Sequence, residues 1–247
     1  MKTLLLIPLL FLALQYGGDK SNTIPASGGT ISGCSGAPSD TGSSGCVMRE
    51  TFEGSTLCYT AFGSYCDNAW TYANGSANFD YTTSPAPLQK TRSIYFPSGS
   101  ANYAYINFTP STTVYAGSMV NFSALPGNDN IIFKLETQAA SATCYVEFYG
   151  TTQFLVFNSG GTTQLTTVSV SAATTYYIKL KAVAGSGTNS SCTPYYSANG
   201  TSWTTGTAST DGTWTTDAGR LLLGGLVSAT NLIGDDYRIS TSDFNYW

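Results

Sequence analysis

The stretch TYYIKLKA, residues 175–182, alternates strictly: Tyr176, Ile178 and Leu180 fall on one side, Tyr177, Lys179 and Lys181 on the other. Successive side chains of a β-strand point to opposite faces, so this is a strand with one face on an apolar core and one toward water. TCYVEFY (143–149) repeats the pattern, with Cys144, Val146 and Phe148 opposite Tyr145, Glu147 and Tyr149. So does NIIFKLE (130–136), where Ile131, Phe133 and Leu135 face away from Lys134 and Glu136. About a dozen such segments, separated by Gly, Asn, Pro and Ser clusters, fill the chain from Val47 to Trp247. No stretch offers a crossover helix, which argues against a parallel α/β sheet, and no fixed-period repeat suggests a propeller or solenoid. The expected fold is all-β: an antiparallel two-sheet jelly-roll sandwich.

Working outward, the N-terminus opens with one lysine and an apolar run from Leu4 to Leu14. Those eleven residues are too few for a bilayer that needs about 20, but they suit the core of a secretory signal. Residues 1–17 are therefore expected to be a signal peptide, cut near Gly17 or Gly18, which makes the mature chain secreted or cell-surface and free of a membrane span. ISGC, ending at Cys34, looks like a lipid-attachment box but lies too far beyond the apolar run to serve as one. Residues 18–46 are rich in Gly and Ser and read as a linker, leaving 47–247 as one domain.

An even count of six cysteines in an exported chain argues for disulfides, whose pairing sequence alone leaves open. Nearness suggests Cys34–Cys46, Cys58–Cys66 and Cys144–Cys192. Lys and Arg number 10 against 14 Asp and Glu, a net charge of −4, so no basic patch is available for nucleic acid. Histidine is absent altogether, which makes a zinc site unlike this chain. Five Asn-x-Ser/Thr sequons occur, at Asn74, Asn107, Asn121, Asn189 and Asn199, about as many as this Ser/Thr content produces by chance.

Four stretches, in order, carry a resemblance: ETFEG (50–54), PLQKTRSIYFPSG (87–99), TTYYIKLKAVAGSGTNSSCTPYYSANGTSWTT (174–205), and GRLLLGGL with IGDDYRIS (219–240). Together they resemble the concanavalin A-like lectin/glucanase superfamily, in particular the laminin-G-like jelly rolls of exported bacterial proteins. The resemblance implies a closing strand paired with the opening one, which would bring Asp235 and Asp236 near ETFEG. It also makes calcium a candidate cofactor at Asp235, since laminin-G-like relatives often bind it and carboxylates are suitable ligands. The superfamily hosts lectins, adhesion modules, glycoside hydrolases and lyases, so it does not choose an activity.

The glucanases of that superfamily place acids two and four residues apart on one strand, where they point into one cleft. Here the glutamates are Glu50, Glu53, Glu136 and Glu147, and none has an acid at that spacing. The jelly-roll lyases typically pair tyrosine with histidine, which this chain lacks. In GDDYRIS (234–240) adjacent residues should face opposite ways, Asp235 with Tyr237 and Ile239, Asp236 with Arg238; a turn-ending role, calcium and catalysis all remain open for the pair.

Aromatic residues in turn-like segments supply the candidate ligand site. Sugar rings present apolar faces edged by hydroxyls, so a flat aromatic beside Asp or Asn suits them. Tyr195, Tyr196, Asn199, Trp203, Asp211 and Trp214 crowd one such region and are the candidate carbohydrate-binding residues. The expected function is an exported, non-catalytic carbohydrate-binding or adhesion module, with a glycan or cell-surface polysaccharide as partner. Alternatives are a self-associating structural protein of a cell surface or filament, and a divergent polysaccharide-degrading enzyme.

Overall fold

A computed structural model describes residues 46–50, 56–59, 64–66, 71–72, 87–88, 93–96, 102–160, 164–185, 189–212, 214–225 and 231–244. The expected signal peptide and nearly all of the linker lie outside them. Among the described residues the strands are β1 (Cys46–Glu50), β2 (Thr56–Tyr59), β3 (Ser64–Cys66), β4 (Thr71–Tyr72), β5 (Ile94–Phe96), β6 (Asn102–Ser111), β7 (Thr113–Phe122), β8 (Asn130–Thr137), β9 (Ala142–Tyr149), β10 (Phe154–Ser159), β11 (Gln164–Ser169), β12 (Tyr176–Val183), β13 (Ser190–Ser197), β14 (Thr204–Thr205), β15 (Ser209–Gly212), β16 (Ala218–Gly225) and β17 (Leu232–Ser240). None of these residues is helical, and no helix is long and apolar enough to cross a membrane.

The first sheet runs β1-β17-β7-β12-β13-β14, with β15 on β13 and β5 on β17. The second runs β11-β10-β9-β8-β16-β6-β4, and β2 and β3 form a small hairpin. All the pairings are antiparallel. The closing strand β17 pairs with β1, from Cys46 opposite Ser240 to Glu50 opposite Tyr237, while the rest of the expected opening strand ETFEG lies outside the described residues. This is an all-β sandwich of two antiparallel sheets, consistent with a jelly-roll type fold.

Period two explains the core. Ile178, Leu180 and Ala182 of β12 point inward from the first sheet, and Cys144, Val146 and Phe148 of β9 point inward from the second. Phe122 and Phe148 meet across the gap with ring centroids 4.9 Å apart. Cys144 and Cys192 form a disulfide, Cα atoms 5.8 Å apart, that ties β9 in the second sheet to β13 in the first. A loop closed over 48 residues removes denatured-state entropy equivalent to about 4 kcal/mol. Of the other two expected pairings, Cys34–Cys46 involves a residue outside those described, and for Cys58–Cys66, on β2 and β3, the side chains lie outside those described.

Two bulges overturn strict alternation. In β8 the pairing with β9 shifts between Ile131 and Phe133, so Ile131 lies opposite Glu147 and Phe133 opposite Val146. Ile131 therefore does not share the inward face of Phe133 and Leu135; Ile132 is in the core instead. In β17 the pairing with β7 shifts between Asp235, opposite Met119, and Arg238, opposite Gly117. One extra residue resets the parity. Asp235 consequently shares a face with Arg238, and not with Tyr237 and Ile239 as strict alternation requires.

Asp236 sits at the bulge with φ 45°, in the left-handed region that aspartate tolerates better than most residues. Two residues earlier, a side chain at Gly234 would collide with the Tyr237 hydroxyl, so close approach demands glycine there.

Candidate functional site

The outer face of the first sheet lines up charged and aromatic side chains in cross-strand rows. Arg49 of β1 pairs with Arg238 of β17, Arg238 with Gly117 of β7, Gly117 with Lys179 of β12, and Lys179 with Tyr195 of β13. On one side runs a row of Met119, Tyr177 and Ser197, on the other Tyr115, Lys181 and Thr193. Residues scattered over nearly 200 positions thus become neighbours because antiparallel pairing aligns them.

At one end of the central row Asp236, fully buried, takes two guanidinium groups. Arg49 Nε donates to its Oδ1 at 2.7 Å and Nη2 to its Oδ2 at 3.0 Å; Arg238 Nε and Nη2 donate to the same oxygens at 3.2 and 2.7 Å. Burial pushes the Asp236 carboxyl up, but the hydrogen bonds and charges of the two arginines outweigh it and hold it below the ordinary aspartate value. A carboxylate clamped this way anchors the seam between first and last strands and is no proton donor.

Toward the other end lies Lys179. Its alternation points it outward, yet its side chain is 0% exposed. Nζ donates to Asp243 Oδ1 at 2.6 Å and to the Phe244 carbonyl at 2.8 Å. Three rings surround it, Tyr195 at 4.5 Å, Trp203 at 4.8 Å and Phe244 at 5.4 Å from Nζ to centroid. Such cation–π contacts gain strength when water is excluded. Burial lowers the Lys179 ammonium from its ordinary value, and the bond and charge of Asp243 partly restore it. The flanking phenols move the other way. Burial, then Asp243 and Tyr115, raise Tyr195; burial, then Asp236, raise Tyr177. Both stay protonated, so each can give a proton.

The aromatic cluster read from the sequence divides. Tyr195 and Trp203 join Lys179 on the outer face. Tyr196, one residue on, points the opposite way and packs against Phe157 with centroids 6.4 Å apart. Trp214 is buried in the core at 6% exposure and offers no platform for a sugar. Asn199 organises a turn, its Oδ1 accepting from Thr201 N at 3.0 Å and Ser202 N at 2.8 Å. Asp211 lies on β15, its side chain outside those described.

Asp235, 1% exposed, accepts Ser93 Oγ at 2.7 Å on one oxygen and its neighbour's Asp236 N at 2.7 Å on the other. Among the described residues no group of three His, Cys, Asp or Glu side chains could hold a metal ion. The Asp235 carboxylate braces the strand bulge against Ser93, the residue before β5. Sequence reading missed Lys179 as a site residue. Its signal was a lysine inside an alternating strand, indistinguishable from any solvated strand face.

The outer face of the second sheet is different. Tyr145, Glu147 and Tyr149 of β9 line it beside Asp129, which accepts Gly150 N at 2.9 Å. Burial and then Asp129 raise the Glu147 carboxyl above its ordinary value. Further along, Glu136 lies between Lys134, at 2.6 Å, and Arg220, at 3.1 Å, while Arg220 stacks on Tyr105 at 3.8 Å.

No family model and no curated protein matches this sequence. Its structure resembles several solved ones. The endo-β-1,4-glucuronan lyase of the fungus Trichoderma reesei superposes with a TM-score of 0.51 at 9% identity, over 81% of this chain and 98% of that one. The GH43 protein BlXynB of Bacillus licheniformis gives 0.51 at 12% identity, over 78% and 39%. A Trypanosoma rangeli sialidase gives 0.48 at 12%, over 62% and 26%, so the chain spans only about a quarter of that protein. The likeness is one of fold.

The two neighbours with TM-scores of 0.51 are a GH43 protein and a glucuronan lyase, which counts against the expectation of a non-catalytic binding or adhesion module. That expectation rested on missing acid spacings within one strand and on missing histidine, and neither tests for groups brought together across strands.

Proposed function

We propose that this chain is a polysaccharide-degrading enzyme that works on the outer face of its first sheet and cleaves acidic glycans by elimination. The observation that carries the reading is Lys179: a buried ammonium set among Tyr195 and Trp203 and bonded to a carboxylate, Asp243. A uronic acid presents the same carboxylate, and an aromatic face suits its ring. Neutralising that carboxylate acidifies the adjacent ring C–H. Tyr177 in its minor phenolate form takes that proton, the C–H electron pair forms the C4–C5 double bond, the C4–O bond breaks, the leaving oxygen takes the Tyr195 proton, and exchange with water returns both phenols to their starting states. Tyr195 is assigned as the donor, and Tyr177 one row away is the second hydroxyl available for the transfers. Among the described side chains the acids Asp236 and Asp243 on this face are clamped or paired, which disfavours hydrolysis by a carboxylate pair there. A lyase among the neighbours of matching length supports the reading at the level of fold.

The test is a polysaccharide panel followed by ultraviolet absorbance of the unsaturated sugar and by reducing ends. Wild type should release absorbing products from uronate polymers, and Tyr195→Phe should release them about a hundredfold more slowly. Absence of product from every acidic polymer refutes elimination.

One observation favours a second reading. Glu147, its carboxyl raised above the ordinary value by burial and by Asp129, is a candidate general acid on the opposite face. Reducing ends without absorbance, abolished in Glu147→Gln, would replace elimination by hydrolysis.

A further inference from the structure

Lys179 raises a question the cleavage reading leaves open, because a group meant to meet substrate is fully covered. What covers it is the chain's own segment beyond β17. After Ser240 the strand ends in a turn in which Ser242 N donates to Ser240 Oγ at 3.1 Å and the two hydroxyls meet at 3.4 Å. The following residues bring Asp243 and Phe244 to Lys179, two strands away across β7. Between Arg238 and Lys179 the row holds Gly117, which has no side chain and leaves the face open for the crossing.

What the segment delivers is a carboxylate, a carbonyl and a flat ring, in the space of two residues. Asp243 Oδ1 and Phe244 O accept from Nζ, and the Phe244 ring, 4% exposed, lies beside it. That is the recognition chemistry of an acidic sugar: an anion for the ammonium and an apolar face among aromatic rings. The Asp243 side chain is nevertheless 42% exposed, so the ion pair is open to water on one side and can be exchanged.

We infer that residues 241–244 form an intramolecular strap that occupies the Lys179 subsite as an acidic pseudo-ligand, so that a uronate-bearing glycan binds there by displacing it. This rests on reading the outer face of the first sheet as the glycan site, and adds its regulation. A ligand that meets a site open only part of the time binds with its affinity reduced by that fraction. Weakening the strap should therefore tighten binding, by about tenfold or more.

The experiment uses the full chain carrying Asp243→Asn with Phe244→Ala. Titration with a β-1,4-linked glucuronate hexasaccharide should give a dissociation constant about tenfold lower than for wild type, and Lys179→Met in the same background should abolish the gain. Acylation of amines, read by peptide mass, should find Lys179 protected in wild type and reactive in the double variant. A reactive Lys179 without tighter binding overturns the inference, as does a Lys179 that stays protected. If neither protein cleaves any polymer but the affinity gain appears, the strap stands and the elimination reading falls. If both cleave and bind equally, the strap falls alone. Should the double variant not fold, wild type decides: saturating hexasaccharide should speed chymotryptic cleavage after Phe244, and an unchanged rate refutes displacement.

Discussion

The outer faces of the two sheets are built from the same residue types and put them to different use. On the first, charges are drawn inward: Asp236 between two arginines and Lys179 under Asp243 and Phe244, each with a fully buried side chain. On the second, the Glu136 pairs keep their cations partly wet, Lys134 and Arg220 both at 16% side-chain exposure, and Glu147 looks out among tyrosines. The difference comes from what lies over each face. The first is crossed by its own chain beyond β17, which covers Lys179 and, by excluding water there, strengthens its contacts.

That contrast can be broken by measurement, beginning where the effect should be largest. Removing Asp236 as Asp236→Ala strands two buried guanidinium groups and should cost about 3–5 kcal/mol in urea unfolding. Glu136→Ala on the wetter face should cost less, about 1–2 kcal/mol. Equal losses would show that burial does not separate the faces.

Activity comes next. Tyr195→Phe should slow cleavage about a hundredfold, equivalent to about 2.7 kcal/mol of barrier, while Glu147→Gln leaves it unchanged. The reverse outcome moves the chemistry to the second sheet.

Acid should also divide the faces. Asp236, held below its ordinary value, contributes stability that is complete above the unfolded aspartate pKa near 3.9 and lost as pH falls through the lower folded value. Glu147, raised above its ordinary value, contributes stability that is complete below the unfolded glutamate pKa near 4.3 and lost as pH rises through the folded one. Urea midpoints should fall in strong acid for wild type and much less for Asp236→Ala. The smallest effect is on Glu147→Gln, which should shift stability at neutral pH by no more than about 0.5 kcal/mol upward.

The fold was largely legible. Alternation in TYYIKLKA and TCYVEFY marks β12 and β9 with the correct inward residues, and the Cys144–Cys192 link follows once both cysteines point inward from facing sheets. The site was legible only in fragments. Tyr195 and Trp203 were named, but so were Tyr196 and Trp214, which point into the core. A turn-like stretch does not announce which of its rings folds under.

What this sequence settles by itself is whatever depends on nearest neighbours along the chain: strands with one apolar face, the absence of helical crossovers, and the lack of histidine chemistry. The tertiary structure decided the rest. A bulge at Asp235–Arg238 brought Asp235 onto the face of Arg238, where Asp236 also bonds, and the return of Asp243 and Phe244 over β7 turned an outward lysine into a buried one. The reason is physical: alternation is local, whereas register is set by the partner strand, and burial by chain segments that arrive from far along the sequence.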